Sequence, residues 1–253
     1  MQASLPTGSL SIFRPAQPPK GLAARGGFIP KDEIFLRITA DDQVVAFCGH
    51  VDLGTGIATS LAQIVAEELD ARPAQVRMVL GHTEDTPDQG ATIASETIQV
   101  TAIPLRRAAA QARHLLLERA AELTGRTVGT ITLRAGELGC EPPLPNRVYR
   151  IGDLVEGVEL RVLLDDAAAV KSTSEYRLVG RDMPRVDIPD KVTGRAVYVH
   201  DVRVDGMLHG RVVRPPYEGY DHGPYVGRAL LSVDRESVTH LPGVVDVVVV
   251  GGF

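Results

Sequence analysis

Cysteine is scarce in this chain. Cys48 and Cys140 are the only two, far apart and in no C-x-x-C spacing. That excludes a disulfide framework, a cysteine-built zinc site and a four-cysteine set for an iron–sulfur cluster within the chain. Long apolar runs are lacking, so nothing here spans a bilayer. The N-terminal stretch MQASLPTGSLSIFRPAQPPKGLAARGG has neither an apolar signal core nor a twin-arginine motif, which leaves a cytoplasmic site of folding as the default. Excess positive charge is lacking too. Lys and Arg number 27 against 32 Asp and Glu, a net charge of -5. A nucleic-acid partner needs clustered cations at phosphates, so none is expected. The one dense basic run, Arg106, Arg107 and Arg113, suits a solvated helix face. No internal repeat is visible.

What remains is ordinary globular material. The 253 residues are 44% hydrophobic and 23% charged, enough for a real core. The first 30 residues, rich in Pro and Gly, form an expected extended arm. Residues 33–47, EIFLRITADDQVVAF, alternate apolar and polar on both sides of Asp41-Asp42, which predicts a hairpin. Leu61, Ile64, Val65 and Leu69 fall on one face of a helix, and Ser60 with Gln63 has capping-box spacing. Val76, Met78 and Leu80 alternate as a strand. Residues 82–97 are a loop by composition. A long alanine-rich helix is expected over 97–123, with Pro104 either kinking it or marking its true start. Short strands are expected at 131–134 and 147–149. A small, polar, mobile connector at 165–175 leads to a second module from Tyr176, strand-forming and heavily turned. Val244 to Val250 is strand-like, and an unpaired final strand would be an exposed edge.

The stretch GHVDLGTGIATS, residues 49–60, poses the functional question. Gly49 and Gly54 have the glycine spacing of a Walker A loop. The lysine position holds Thr55 and the Ser/Thr position holds Gly56, so the groups that grip phosphates and magnesium are absent. Asp85 to Pro87 mimics a GTPase switch, but no glycine follows and no guanine-reading motif occurs. Two readings stay open at this level. One is a glycine-rich strand-to-helix turn that binds nothing. The other is a lysine-free anion cradle made of backbone amides and a helix N-terminus.

Three stretches then resemble one family. GHVDLGTGIATSLAQIVAEELDA resembles the G-x-x-E-x-G-Q-G turn and helix in the large subunit of the xanthine dehydrogenase/aldehyde oxidase family. GHTEDTPDQGATIASETIQVTAIPLRRAAAQAR resembles that family's T-x-x-T-P…S loop and the helix after it. VGRDMPRVDIPDKVTGRAVYVHDVRVDGMLHGRVVRPP resembles the start of its a/b hammerhead domain. Their order matches the branch that contains nicotinate dehydrogenase and isoquinoline 1-oxidoreductase. The resemblance implies an α+β fold with these divisions: arm 1–30, molybdopterin-binding segment 31–165, linker 166–175 and incomplete hammerhead 176–253. It implies a molybdenum–molybdopterin cofactor in its cytosine dinucleotide form, with [2Fe–2S] clusters on a small partner subunit. The remaining large-subunit segment or chain, and in this branch a cytochrome c, are further implied partners. Association with the inner membrane would come only through them. The implied chemistry hydroxylates an N-heterocycle or aldehyde with oxygen from water, the cofactor carrying most of it.

By position, the resemblance assigns Gly49, Gly54, Thr55 and Gly56 to the cofactor turn. Gln89, Gly90, Ala94 and Ser95 fall on the second cofactor loop. Asp52 stands where the family has a substrate-facing glutamate. Asp52 also suits an Asx turn, and Ser95 with Thr97 also suits a helix N-cap. Thr55 replaces the family's glutamine. His50 and His82 read as ordinary polar residues, and Cys48 as a small buried one. The family's general-base glutamate motif and its F-R-G-x-G-type stretch are absent, and Glu137 in AGELG lacks the right context for the base. No catalytic residue or metal ligand is therefore assigned, and the chain alone is expected to be inactive. A non-catalytic scaffold or interaction module of the same fold is the alternative.

Overall fold

The computed structural model describes residues 7–16, 31–143, 148–213 and 232–249. The chain divides into two compact units, 1–196 and 197–253. In the first, strands β1 (Ser9–Arg14), β2 (Glu33–Thr39), β3 (Val44–Cys48), β4 (Val76–Leu80) and β7 (Glu159–Leu163) form one open sheet in the order β4-β3-β2-β1-β7. β2 and β3 are the expected hairpin, with Asp42 at φ 66° in its turn. β3 and β4 run parallel, joined through helix α1 (Ile57–Leu69). β1 and β7 are also parallel, with Ser9 opposite Glu159. The strands β5 (Ile131–Arg134) and β6 (Glu137–Cys140) form a separate two-stranded sheet.

The core lies on one face of the large sheet. Leu10 and Ile12 of β1, Leu36 and Ile38 of β2, and Val44, Ala46 and Cys48 of β3 point into it. Leu61, Val65 and Leu69 of α1 meet them, as do Leu105, Ala109, Ala112 and Leu116 of helix α2 (Ala102–Thr124). Alanines along α2 let the helix lie close to the sheet. Each fully buried leucine contributes about 1.5–3 kcal/mol of transfer free energy.

Several expectations need correction. The N-terminal arm carries β1, whose Leu10 and Ile12 alternate into the core, so it is an interior strand of the sheet. Ser60 does not cap α1, which starts three residues earlier; Gln63 instead donates to the carbonyl oxygens of Leu178 and Arg181, at 2.5 and 2.9 Å. The long helix begins with a π turn, Thr97–Thr101, and α2 proper starts at Ala102. Pro104 sits two residues inside α2, just past the junction with the π turn. The strand expected at 147–149 reduces to a single bridge between Arg150 and Glu137; Arg147 lies outside the described residues.

Among the described residues from Tyr176 onward there is no strand. Only short helical turns form, the longest being α3 (Ile188–Val192) and α4 (Glu236–Thr239). Residues 244–249 are likewise not in a strand, and Val250 lies outside the described residues. A strand sequence with no neighbour to take its backbone hydrogen bonds gains nothing from the extended ladder.

The connector is not loose. Lys171 is held by its ammonium on Asp70 at 2.7 Å and on the Glu67 carbonyl oxygen, while its N–H donates to Glu68 at 3.0 Å. No helix among the described residues is long and apolar enough to cross a membrane.

Candidate functional site

β3 and β4 end side by side at Cys48 and Leu80, and the loops that follow them carry every residue assigned above to cofactor or substrate. In open α/β sheets, ligands gather outside the carboxyl ends of parallel strands. The Gly81 N–H donates to the Cys48 carbonyl at 2.9 Å, so pairing continues to the edge of the site.

Gly49 has no room for a side chain. A Cβ there would stand 2.3 Å from the Pro87 carbonyl oxygen, so the two loops touch backbone to backbone. Gly49 N–H donates to Gln89 Oε1 at 2.9 Å, and Gln89 Nε2 donates onward to the Thr101 carbonyl at 3.0 Å. Val51 N–H donates to the Thr92 hydroxyl at 2.9 Å. His50 is 1% exposed. Its Nδ1 lies 2.8 Å from the Thr97 hydroxyl, and its Nε2 lies 3.3 Å from both the Gln89 carbonyl oxygen and the Thr101 hydroxyl.

The glycine turn is arranged around Asp52. Gly54 and Gly56 adopt φ 96° and 76°, a region side chains avoid. Their N–H groups donate to Asp52 Oδ1 at 2.8 and 3.2 Å, and Ala58 N–H reaches Oδ2 at 3.5 Å. Asp52 thus forms the Asx turn and caps α1. Arg185 lies over the same turn, donating to the Gly54 carbonyl at 3.2 Å. Its guanidinium grips Asp187 through Nε and Nη2 at 3.0 and 2.7 Å, and Lys191 joins at 2.5 Å. Arg185 first and Lys191 second hold the Asp187 carboxyl far below the usual carboxylate range.

The predicted residues fall into two clefts and a turn. Thr55, Ala94 and Ser95 line one cleft of about 320 Å³, with Val51, Leu53 and Ile93 as apolar walls. Gly49, Gln89 and Gly90 line a second, of about 280 Å³. Asp52, Gly54 and Gly56 build the turn itself. Ala94 and Ser95 both have positive φ, 50° and 58°, a strained conformation for side-chain-bearing residues. Among the described residues the Ser95 hydroxyl has no partner, and no hydrogen bond engages the amides of residues 91–95. Neither Ser95 nor Thr97 caps the helix; the Thr97 hydroxyl is turned to His50.

Other expectations concern single residues. His82 is exposed and pairs with Asp85 at 3.1 Å. Glu137 is half-exposed on β6, facing Arg72 at 3.6 Å. Burial pushes the Cys48 thiol up, against a backbone hydrogen bond at His50, so it is an inert core residue.

Three features went unread in the sequence. His50 is a buried three-way contact, which an isolated histidine in a glycine-rich loop does not announce. Arg185, Asp187 and Lys191 form one ion cluster; their alternating signs within seven residues were the available signal. Glu67 and Glu68 are both buried on α1. Glu67 Oε2 accepts the N–H groups of Arg177, Leu178 and Val179 at 2.8, 2.6 and 2.9 Å. Glu68 meets Arg106 at 2.6 Å. Burial pushes the Glu67 carboxyl up, but those three amides and the Lys171 ammonium outweigh it and hold it below the usual range.

Comparison with known proteins gives consistent matches. The model of the molybdopterin cofactor-binding domain matches residues 12–214. The chain is 50% identical over 251 residues to a nicotinate dehydrogenase subunit of Pseudomonas putida, covering 98% of this chain and 21% of that protein. It is 31% identical over 250 residues to the beta subunit of isoquinoline 1-oxidoreductase from Brevundimonas diminuta, covering 83% and 31%. A solved CO dehydrogenase from Oligotropha carboxidovorans is similar at a TM-score of 0.42 and 21% identity, over 59% of this chain and 19% of that one. The chain therefore spans about a fifth to a third of the length of the curated relatives it matches.

Proposed function

Because the chain belongs to the molybdopterin cofactor-binding domain family, we propose that it supplies part of the cofactor pocket of a molybdenum hydroxylase acting on an N-heterocycle or aldehyde. One observation carries this reading. Thr55 from the first loop and Ala94 and Ser95 from the second converge on one cleft, and the second loop brings unpaired amides and an unpartnered hydroxyl to it.

The residues fit an anionic pterin on one side of the site. Amides of residues 91–95 and the Ser95 hydroxyl are free donors, suited to phosphate or pterin oxygens. Thr55 offers a second hydroxyl, and Val51, Leu53 and Ile93 offer an apolar wall. The Gly54 and Gly56 amides are already taken by Asp52, so the glycine turn shapes the cleft and does not grip a phosphate. Gly49 and Gln89 hold the two loops together.

A carboxylate has roughly four acceptor positions. Amides fill three at Asp52, which leaves one for a substrate ring N–H. When bound, the cofactor supplies the oxidation chemistry, with oxygen drawn from water. In this reading the pterin carries a cytosine dinucleotide. Electrons pass to [2Fe–2S] clusters on a small partner subunit and then to a cytochrome c, at the inner membrane through those partners. A general base comes from the rest of the large subunit, and residues from 176 onward begin a hammerhead domain completed there.

Two measurements test this. In the native assembly, Ser95→Ala should lower molybdenum and pterin content by about tenfold at limiting supply, the size of a lost hydrogen bond to a charged group. Unchanged content would refute the assignment. The 253-residue chain alone should show no turnover of N-heterocycles or aldehydes with a dye acceptor, since loss of the base removes about 10²–10⁴ in rate before any loss of cofactor.

A second reading, a non-catalytic interaction module, draws on Asp52 occupying the turn amides and on the exposed Leu53, Ile93 and Ile98. A native assembly free of molybdenum would favour it.

A further inference from the structure

We infer that His50 is the positioning residue of this site: its imidazole fixes the second loop against the first, so that Ser95 and the free amides before it face the cleft. The inference rests on the cofactor reading above.

His50 follows Gly49 directly, and the two loops join at this point. A carbonyl oxygen can only accept. Nε2, 3.3 Å from the Gln89 carbonyl, therefore carries the ring hydrogen in the neutral form. Nδ1 then accepts from the Thr97 hydroxyl at 2.8 Å. The two ring nitrogens thus hold both ends of the segment that contains Ala94 and Ser95. Nε2 grips its start at Gln89, and Nδ1 grips its end at Thr97. The Thr101 hydroxyl, 3.3 Å from Nε2, extends the grip across the π turn.

Such a clamp is needed because the segment does little to hold itself. Within residues 89–96, the internal backbone hydrogen bond is Glu96 N–H to the Ile93 carbonyl at 3.1 Å. Two successive residues there, Ala94 and Ser95, stand at positive φ. A conformation of this kind persists only where its surroundings over-determine it. The imidazole is also buried, 1% exposed, so its hydrogen bonds are not traded with water. A π turn at this point agrees, since such turns mark sites where regular helix has been given up for placement.

The test uses Thr97→Val, which removes the hydroxyl and keeps the shape, in the native assembly from a host that cannot make the pterin. Amide exchange at Gly49, Val51 and Ala102, each pinned to this segment, should quicken by about tenfold, while exchange in the middle of β3 stays unchanged. Thr97→Ser should restore the original rates. Thr101→Val, which removes the longer contact, should act in the same direction and serves if Thr97→Val does not fold. Unchanged exchange at these amides would overturn the inference, whatever the cofactor content. In a pterin-producing host, molybdenum content should fall with Thr97→Val and return with Thr97→Ser. Faster exchange with full molybdenum content would leave the clamp standing and overturn the cofactor reading of the loop.

Discussion

Three amide hydrogens, from Gly54, Gly56 and Ala58, reach the Asp52 carboxylate, and this decides what the residue can do. It caps α1 from four residues before Gly56. Asp52→Ala should lower the stability of the chain by about 1 kcal/mol, and Asp52→Asn by less, because the amide oxygen still accepts. Urea unfolding of the two variants would check the order. Gly49 is constrained differently. Its backbone has an ordinary φ, but a Cβ would meet the Pro87 carbonyl at 2.3 Å and the Gln89 nitrogen at 3.1 Å. Neither is the end of a flexible side chain, so Gly49→Ala must displace the second loop, at a cost of about 1–3 kcal/mol. The lost Gly49–Gln89 hydrogen bond would show as faster exchange at that amide. Glycine spacing alone did not separate these roles. The P-loop likeness of residues 49–56 is a likeness of glycines, but a Cβ at Gly49 would meet Pro87, one at Gly56 would meet Arg185, and one at Gly54 would meet open space.

At the scale of elements, α1 works on two sides. Its apolar face enters the core, as Leu61, Val65 and Leu69 foretold. Its polar face holds the segment from Lys171 to Arg181 through Gln63, Glu67, Glu68 and Asp70. Glu67 makes that attachment sensitive to acid. Its folded carboxyl titrates below its unfolded value, so the stabilisation is complete above the unfolded pKa of about 4.3. It is lost as pH falls through the depressed folded value. The amides of 177–179 should therefore lose exchange protection in acid before the sheet does, and Glu67→Gln should flatten that dependence. Periodicity made the β2–β3 hairpin, α1, β4 and most of α2 legible, because each buries one face and shows it in spacing. β1 was hidden by its Pro- and Gly-rich surroundings, although Leu10 and Ile12 alternate. β7 was hidden because ELRVL has its partner far away in sequence. The buried acids of α1 were hidden because charge on a helix ordinarily means solvent.

Across the whole molecule, apolar surface is unevenly distributed. Leu53, Ile93, Ile98, Val100 and Ile103 are exposed around the candidate site. In the second unit Val199, Val212, Val213 and Val248 are each more than two-thirds exposed. Exposed apolar clusters of this kind mark surfaces that other protein covers. The 253-residue chain by itself should bind a hydrophobic dye and scatter light as its concentration rises. In the proposed large subunit, assembly with the remaining segment should abolish both. The family could be read from three motifs in order, but this exposure could not, since a valine-rich stretch looks the same whether it is paired or bare.

The parallel pairing of β1 with β7 has a consequence for biosynthesis. Ser9 leaves the ribosome long before Glu159 exists. At about 5–20 residues per second, β1 waits roughly eight to thirty seconds with one edge open. Such distant pairing also slows folding of the released chain. The nascent protein therefore carries an unfinished sheet until β7 has been made, and a chaperone that shields extended segments would find its natural client there.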